Sequence, residues 1–394
     1  METKRITYID SIRSIAILMV LEGHFITHSL QTKFRDDSNS IYAAWKFTRG
    51  LTAPLFLFIS GLIFTYLLLK NKKQGYQNNR LTKGFKRGVS LICIGYLLQL
   101  NLYTFFTSSK PLVTDLFQIF HILQCIGASL LIIISLYLVK SYLLRIPLGI
   151  YTGLLSISIF LTTPTLLQLD YSGVPRFLEN ILIISANTNQ KVSVFPLFPW
   201  AGFVLTGATL GTIFHQFPKL AHSLKLPIVL FIIGFVLDGF YYNILNFLWY
   251  LSANSGLSDF SDVYVFARLG QILMILSSFI ILHKYKAILA KPFQWVPWDK
   301  ELFIKIGQNT LSIFVLHVVL LYQGFFGWNI NQLISMKLTP WTAIFGAVLF
   351  IAFFVIYIKY LEQIQQFPNK LYRSIYCRYL KRKRSRFSQR SYGV

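Results

Sequence analysis

The feature that most constrains the fold is a series of continuous apolar runs that recur along the whole chain. Each run is about 18 residues long or more, enough to cross roughly 30 Å of hydrocarbon as a helix. Only 13% of the 394 residues are charged, whereas about 25% is usual in a soluble protein. Backbone groups in lipid must be satisfied internally and the runs do not alternate in polarity, so we expect helices and not a β-barrel.

The fold class predicted from these runs is an all-α, polytopic integral membrane protein. We place about ten transmembrane helices at residues 11–30, 50–69, 88–106, 115–139, 146–167, 196–214, 227–250, 263–283, 304–324 and 340–360. They make up one transmembrane domain, residues 1–365. A basic cytoplasmic tail, residues 366–394, is expected to be disordered and to lie on anionic headgroups. In the outer connection 168–195, "FLENILIISA" is too short to span and is expected to be a re-entrant or interfacial helix.

Lysine and arginine are divided unevenly between the two sets of connections. One side, which includes the N-terminus and the tail, holds 28 of the 38, the other side holds 8, and two lie inside spans. Cytoplasmic loops carry such an excess, so we expect a multi-pass protein of the plasma (inner) membrane with both termini in the cytoplasm. The net charge of +24 is spread over short segments and forms no single patch, so no nucleic-acid partner is expected.

The cysteines argue against a metal site or a disulfide framework. Cys93, Cys125 and Cys377 are far apart and lack metal-ligand spacing. We therefore expect no metal and no permanently bound cofactor. The lipid bilayer is the one partner that composition predicts, and the oligomeric state, including a homodimer, is left open.

The first predicted span, "IDSIRSIAILMVLEGHF", is unusual because it carries four ionisable groups. Arg13 and His24 are eleven residues apart, close to three full helical turns, so they share one face. Asp10 lies three residues before Arg13 and can pair with it. His28 continues the stripe, whereas Glu22 points to nearly the opposite face. Charged groups at bilayer depth are costly, which makes this stripe a candidate functional site.

The layout of this stripe suits an anionic cytosolic ligand that reaches toward an acceptor on the outer side. With the N-terminus inside, Arg13 lies near the cytoplasmic surface and His24 lies past the midplane. Two structural explanations stay open. Asp10 and Arg13 can be an interfacial pair whose side chains extend to the headgroups, and His24 can be a hydrogen-bonded packing residue.

Three further polar groups are predicted at the same depth as His24. His121 in span four, Arg268 in span eight and His317 in span nine all fall in the outer half. We therefore expect one polar chamber that these side chains share. Asp238 in span seven lies nearer the midplane and is expected to pair with a base.

Two stretches rich in proline and small residues have both a packing and a functional interpretation. They are "TAPLFLFISGLIF", which holds Ser60, and "FPLFPWAGFVLTGATLG", which holds Trp200. Small residues are common at helix contacts, but they also allow a ligand to approach the backbone closely. The candidate substrate-binding residues are His121, Arg268, Ser60, Trp200 and Asn309, the last from "GQNTLS".

These stretches, in their order along residues 5 to 320, resemble a known family. "RITYIDSIRSIAILMVLEGHF", "TAPLFLFISGLIF", "FQIFHILQCIGASLLI", "FPLFPWAGFVLTGATLG", "FARLGQILMIL" and "GQNTLSIFVLHVVLL" are similar to transmembrane acyltransferases related to heparan-α-glucosaminide N-acetyltransferase. They are also similar to the more distant bacterial membrane O-acetylases that modify surface polysaccharides. The family pattern of Arg, ten residues and then His on the first helix is met by Arg13 and His24.

The resemblance implies a reaction in which acetyl-CoA binds from the cytosol and its acetyl group ends on a sugar hydroxyl or amine outside. Arg13, with Asp10 beside it, is implicated in holding CoA phosphates or the helix geometry. His24 is implicated as general base or transient acyl acceptor, with His317 also a catalytic candidate and His28 a stand-in.

The sequence departs from the O-acetylases in the second cytosolic segment. Those proteins usually show an Arg-x-x-Arg pattern there, and this chain has "RLTKGFKR". Arg80, Lys83 and Arg87 are the candidate cofactor-binding residues, with Lys86 beside them. Two other functions stay open from the residues alone: a transporter or exporter of a polar metabolite or glycan, and a non-catalytic membrane scaffold or glycan-binding protein.

Overall fold

The structure is a computed structural model of the whole chain. It describes residues 7–71, 75–100, 119–143, 146–184, 193–221, 223–251, 265–285, 299–323 and 329–390. Within these residues every long element is a helix, and the single β-bridge joins Leu30 to Leu338. The all-α fold class is therefore confirmed.

The helices follow the apolar runs along the chain. In chain order they are α1 (Thr7–Ser29), α2 (Ser40–Gly50), α3 (Thr52–Leu69), α4 (Asn79–Leu97), α5 (Ile122–Tyr142), α6 (Leu148–Gln168), α7 (Arg176–Leu182), α8 (Leu197–Gln216), α9 (Pro218–Ala221), α10 (Lys225–Leu251), α11 (Val265–Lys284), α12 (Lys300–Gln308), α13 (Thr310–Val318), α14 (Ile330–Ile334) and α15 (Pro340–Arg390). A π-helical turn, Val319–Gln323, extends α13. The short apolar piece after residue 175 forms α7.

Seven helical segments in the described part of the chain are long and apolar enough to cross a membrane. They are Ser40–Leu69, Ile122–Tyr142, Leu148–Gln168, Leu197–Gln216, Lys225–Asn243, Val265–Lys284 and Pro340–Gln366. The bent pair α12 and α13 would make an eighth. Each of the ten predicted spans overlaps a helix, but α1 and α4, which carry several charges each, are outside this set. The protein is a multi-pass membrane protein, and the count of ten and the side of each terminus stay predictions.

Three details of the predicted spans need correction or fall outside the described residues. The ninth span is not one straight helix, because α12 and α13 meet at Asn309 with a bend of 68°. The predicted ends of spans three and four lie partly in residues 101–118, which are outside the described part. The tail is not irregular: its backbone continues α15 to Arg390, as its many Lys, Arg, Leu and Gln residues favour.

The apolar core has two parts, and α1 lies between them. Tyr8, Ile12 and Ala16 of α1 pack into a cluster with α3, α5, α8 and α11. Leu21 and Phe25, further along α1, pack into a second cluster with α13 and α15. The charged stripe of α1 is therefore held at the junction of two helix groups.

The two small-residue stretches pack against each other as α3 and α8. A Cβ atom on Gly61 would lie 1.8 Å from the carbonyl oxygen of Val204, and one on Gly207 would lie 1.9 Å from that of Phe58. Only glycine allows backbones to approach this closely. The packing explanation for these stretches is thus confirmed for their glycines.

The bent pair α12 and α13 wraps around α1. A Cβ on Gly307 would lie 2.1 Å from the carbonyl oxygen of Asp10, so α12 approaches the backbone of α1 directly. The Ser14 hydroxyl bonds to the Phe303 carbonyl at 2.5 Å. The bend at Asn309 then lets α13 and its π-helical turn follow α1 over its second half.

Candidate active site

A cavity of about 630 Å³, which we call the large cavity, lies among the described residues beside the second half of α1. Its walls come from α1, the end of α2, α3, α4, α5, α8 and α13. His24, His121 and Trp200, three of the predicted site residues, line it. Its size falls within the usual range of about 300–1,000 Å³ for ligand-binding pockets.

A second cavity of about 130 Å³, the small cavity, lies beside the first half of α1. Arg13 and Ser60 line it, together with the three predicted cofactor-binding bases Arg80, Lys83 and Arg87. The bases are placed there by α4, whose buried face consists of Gly84, Gly88, Leu91 and Gly95. This face lets α4 lie close to α5 and directs its basic side chains toward the cavity.

The two cavities are neighbours with a common wall. Leu123 of α5 and Phe314 of α13 line both of them. Arg13 faces the small cavity and His24 the large one, so the shared face of α1 does run from a cluster of bases to an imidazole. Both residues of the common wall are apolar.

His24 is held by aromatic side chains from the π-helical turn and α13. Its Nδ1 lies 2.6 Å from the Tyr322 hydroxyl. The His317 ring centroid is 5.2 Å from that of His24, and His28 is 5.0 Å from Tyr322. His317 is fully buried and does not line either cavity. The prediction that His317 lies in the chamber is therefore corrected: His317 lies behind His24.

Arg13 is bound at the start of α13 as well as to its own helix. Its Nη2 donates to Thr310 Oγ1 at 2.8 Å, and Nη1 lies 3.8 Å from the Asp10 carboxylate. The predicted Asp10–Arg13 pair is confirmed. Both Asp10 and Thr310 are buried, so this pair is part of the packed interior and not an exposed interfacial one.

Arg268 and Asp238 belong to a polar chain between α10 and α11. Arg268 donates to Gln271 at 3.1 Å, and Gln271 donates to Asp238 at 2.7 Å. Arg268 also lies over the Phe47 ring at 4.9 Å, and its guanidinium contacts Gly50, which lines the large cavity. Arg268 itself does not line the large cavity. The prediction that it lies in the chamber is therefore corrected: Arg268 lies beside the cavity.

Two other predicted substrate-binding residues lie away from the large cavity. Ser60 lines the small cavity, and its hydroxyl donates to the Phe56 carbonyl within α3. Asn309 lines neither cavity, because it occupies the bend between α12 and α13 and its amide donates to Lys305 O at 2.8 Å. Its observed role is to shape the bend.

Sequence reasoning missed several residues of the large cavity. Tyr322 and Gln124 follow His317 and His121 in sequence but have no charge or motif to mark them. Arg49 lies at the end of α2, which the prediction treated as an outer connection. Glu22, whose partner was unknown, accepts a hydrogen bond from Trp45 Nε1 at 2.6 Å.

The match to a known family includes most of this site. The model of the heparan-alpha-glucosaminide N-acetyltransferase catalytic family matches residues 5–230, more than half of the chain. That region holds Arg13, His24 and the bases of α4, whereas His317 and Tyr322 follow it. No individually curated protein matches the chain significantly. The predicted resemblance is confirmed, and the chain belongs to the family of heparan-alpha-glucosaminide N-acetyltransferase catalytic domains.

Proposed function

We propose that this protein transfers an acetyl group from cytosolic acetyl-CoA to a hydroxyl or amine of a sugar or glycan on the outer side of the membrane. The observation that carries the proposal is the pair of adjoining cavities, one lined by bases and the other by His24. Membership of an acetyltransferase family supports the reaction type. The charge asymmetry of the connections supports an inner-membrane protein with the bases on the cytoplasmic side.

The donor is proposed to bind with its phosphates at the small cavity. Arg80, Lys83 and Arg87 are exposed on α4, so they can meet a ligand that arrives from water. Guanidinium and ammonium groups bind phosphate through charge-assisted hydrogen bonds, and CoA carries a pyrophosphate and a 3′-phosphate. Arg13, already fixed by Thr310, adds a cation at the inner end of the cavity.

The acetyl group is proposed to pass the wall formed by Leu123 and Phe314 and to reach His24. These side chains can change rotamer without breaking a hydrogen bond, since both are apolar. An imidazole can accept the proton of an attacking hydroxyl or carry the acetyl group itself. The Tyr322 hydroxyl holds the Nδ1 side of the ring, which leaves Nε2 as the atom for either role.

The test is acetyl transfer by the purified protein, with radiolabelled acetyl-CoA and a panel of amino sugars and oligosaccharides. His24→Ala should lower kcat by about 10²–10⁴-fold, the usual effect of removing a general base, and by more if His24 is the nucleophile. His215→Ala is the matched control, since His215 is exposed at the end of α8 and lines neither cavity. Equal activity of His24→Ala and wild type would remove His24 from the reaction.

A further inference from the structure

Arg49 is held against α1 at the residue next to His24. Its side chain crosses Gly23: a Cβ atom there would lie 3.1 Å from Arg49 Cγ and 3.4 Å from Nε. Arg49, Gly23 and His24 all line the large cavity. The missing side chain at Gly23 therefore lets a guanidinium lie beside the imidazole, although the two come from different helices.

Arg49 forms no direct ion pair in the described part of the protein, although the Glu22 carboxylate is close enough to interact with it electrostatically. Its side chain makes no hydrogen bond or ion pair there, and its guanidinium lies 5.9 Å from the Trp45 ring centroid. The neighbouring carboxylate, Glu22, bonds to Trp45 Nε1 instead. No Asp or Glu is among the described residues that line the large cavity. A half-buried cation without a directly bonded anion is costly unless a ligand supplies the negative charge.

Other donors in the same wall also lack partners. Gln124 is fully buried, and its Nε2 has no hydrogen-bond acceptor among the described residues. Trp200 Nε1 is also buried and has no acceptor in the part of the chain that the structure describes. Unsatisfied buried donors are uncommon in native proteins and point to a missing acceptor. The large cavity is thus rich in donors and poor in anions.

We propose that Arg49 is a catalytic residue that binds the negative charge which develops on the acetyl carbonyl oxygen during transfer. This role rests on the proposed function. The acceptor hydroxyl or amine gives its proton to His24 and bonds to the carbonyl carbon, while the π electron pair moves to the carbonyl oxygen, opposite Arg49. When that pair returns, the carbon–sulfur bond breaks, and CoA leaves as a thiolate that takes the proton from His24.

The position of Arg49 favours this role over recognition of an acidic group on the acceptor. An acidic group on the acceptor could be bound from any part of the cavity wall, whereas the contact with Gly23 fixes Arg49 at the level of His24. Stabilisation of an oxyanion requires donors placed in advance where charge develops, in surroundings that exclude water. The predominantly apolar lining of the cavity provides such surroundings.

The experiment compares steady-state kinetics of Arg49→Met, Arg49→Lys and wild type in detergent. Loss of one oxyanion donor typically lowers kcat by about 10²–10³-fold, and we expect Arg49→Met to do so with KM for acetyl-CoA unchanged. Arg49→Lys keeps the positive charge but lacks the planar guanidinium, so its kcat should lie between those of Arg49→Met and wild type. Guanidinium ion added to Arg49→Ala should restore part of kcat, which a purely structural role would not allow.

Lys46→Met is the matched control, because Lys46 lies on the same helix but is exposed and pairs with Asp37. It removes the same charge and should keep wild-type kcat. Wild-type kcat in Arg49→Met would overturn the proposal. So would an increased KM for the acceptor with kcat unchanged, which would make Arg49 an acceptor-binding residue. A wild-type protein without acetyl transfer would refute the proposed function and this role with it.

Discussion

The interface between α3 and α8 and the interface between α1 and the bent pair α12–α13 solve the same packing problem in different ways. The first is built on glycine, with backbone against backbone at Gly61 and Gly207. The second also has one close glycine contact, at Gly307, but it adds polar contacts between side chains, among them Arg13 with Thr310 and His24 with Tyr322. Close glycine packing gives a rigid frame, whereas polar side chains in a membrane protein mark the place where chemistry occurs.

The difference between these interfaces also explains why the bend at Asn309 matters. Neighbouring helices cross at an angle, so two straight helices diverge away from their crossing point. With the bend of 68°, α13 and the π-helical turn lie beside α1 over its second half. Tyr322 and His317 therefore reach His24, and Thr310 reaches Arg13, from one continuous segment of chain.

The largest effect is expected from breaking the glycine interface. Gly207→Ala would place a Cβ atom 1.9 Å from the Phe58 carbonyl oxygen, so α3 and α8 must separate. Overpacking of this kind costs about 3 kcal/mol, which should appear as a lower free energy of unfolding in mixed micelles. The folded fraction that remains should keep a near-normal KM for acetyl-CoA.

Gly239→Ala on α10 is the control for this substitution. No atom lies within 4 Å of the Cβ that it adds. Alanine is a better helix former than glycine by about 1 kcal/mol, so this variant should be as stable as wild type or more so. Equal stability of Gly207→Ala and Gly239→Ala would contradict the claim that close glycine packing makes the interface of α3 and α8 a rigid frame.

A smaller effect is expected from the polar interface. Tyr322→Phe removes the hydroxyl that lies 2.6 Å from His24 Nδ1 and leaves the ring contacts with His24 and His28 in place. A hydrogen bond of this kind contributes about 0.5–1.5 kcal/mol, so kcat should fall by about tenfold with little change in thermal stability.

Tyr137→Phe is the matched variant for Tyr322→Phe. The Tyr137 hydroxyl is also buried and bonded, but it accepts from the Asn78 amide, and Tyr137 lines neither cavity. This variant should lose some stability and keep its kcat. Were both variants to lose stability and keep activity, Tyr322 would be a packing residue and the contrast between the two interfaces would lose its functional meaning.

Much of the fold follows from local patterns in the sequence. Apolar run length locates the helices, and the spacing of Arg13 and His24 correctly places them on one face of α1. The Asp10–Arg13 pair also follows from spacing. Helical period and hydropathy are properties of one segment, so they can be read without knowledge of its neighbours.

The rest of the site depends on contacts between distant parts of the chain. Gly307 and Asn309 are residue types that often end helices, but they do not reveal the angle at which α13 leaves α12. Arg49 takes its position from Gly23, and Tyr322 from His24, across about 26 and 298 residues of sequence. His317 was expected in the chamber for its polarity, yet its depth behind His24 is decided by the direction in which α13 leaves the bend.

The central claim is that acetyl groups cross the membrane between the two cavities, and transfer across sealed proteoliposomes tests it most directly. The orientation of the protein would be determined from the protease sensitivity of its basic tail. Radiolabelled acetyl-CoA would then be added only on the tail side, and an amino-sugar acceptor only on the other side. We predict acetylated sugar in the acceptor compartment, and none when His24→Ala replaces wild type. Product that forms only when donor and acceptor share one compartment would contradict the claim.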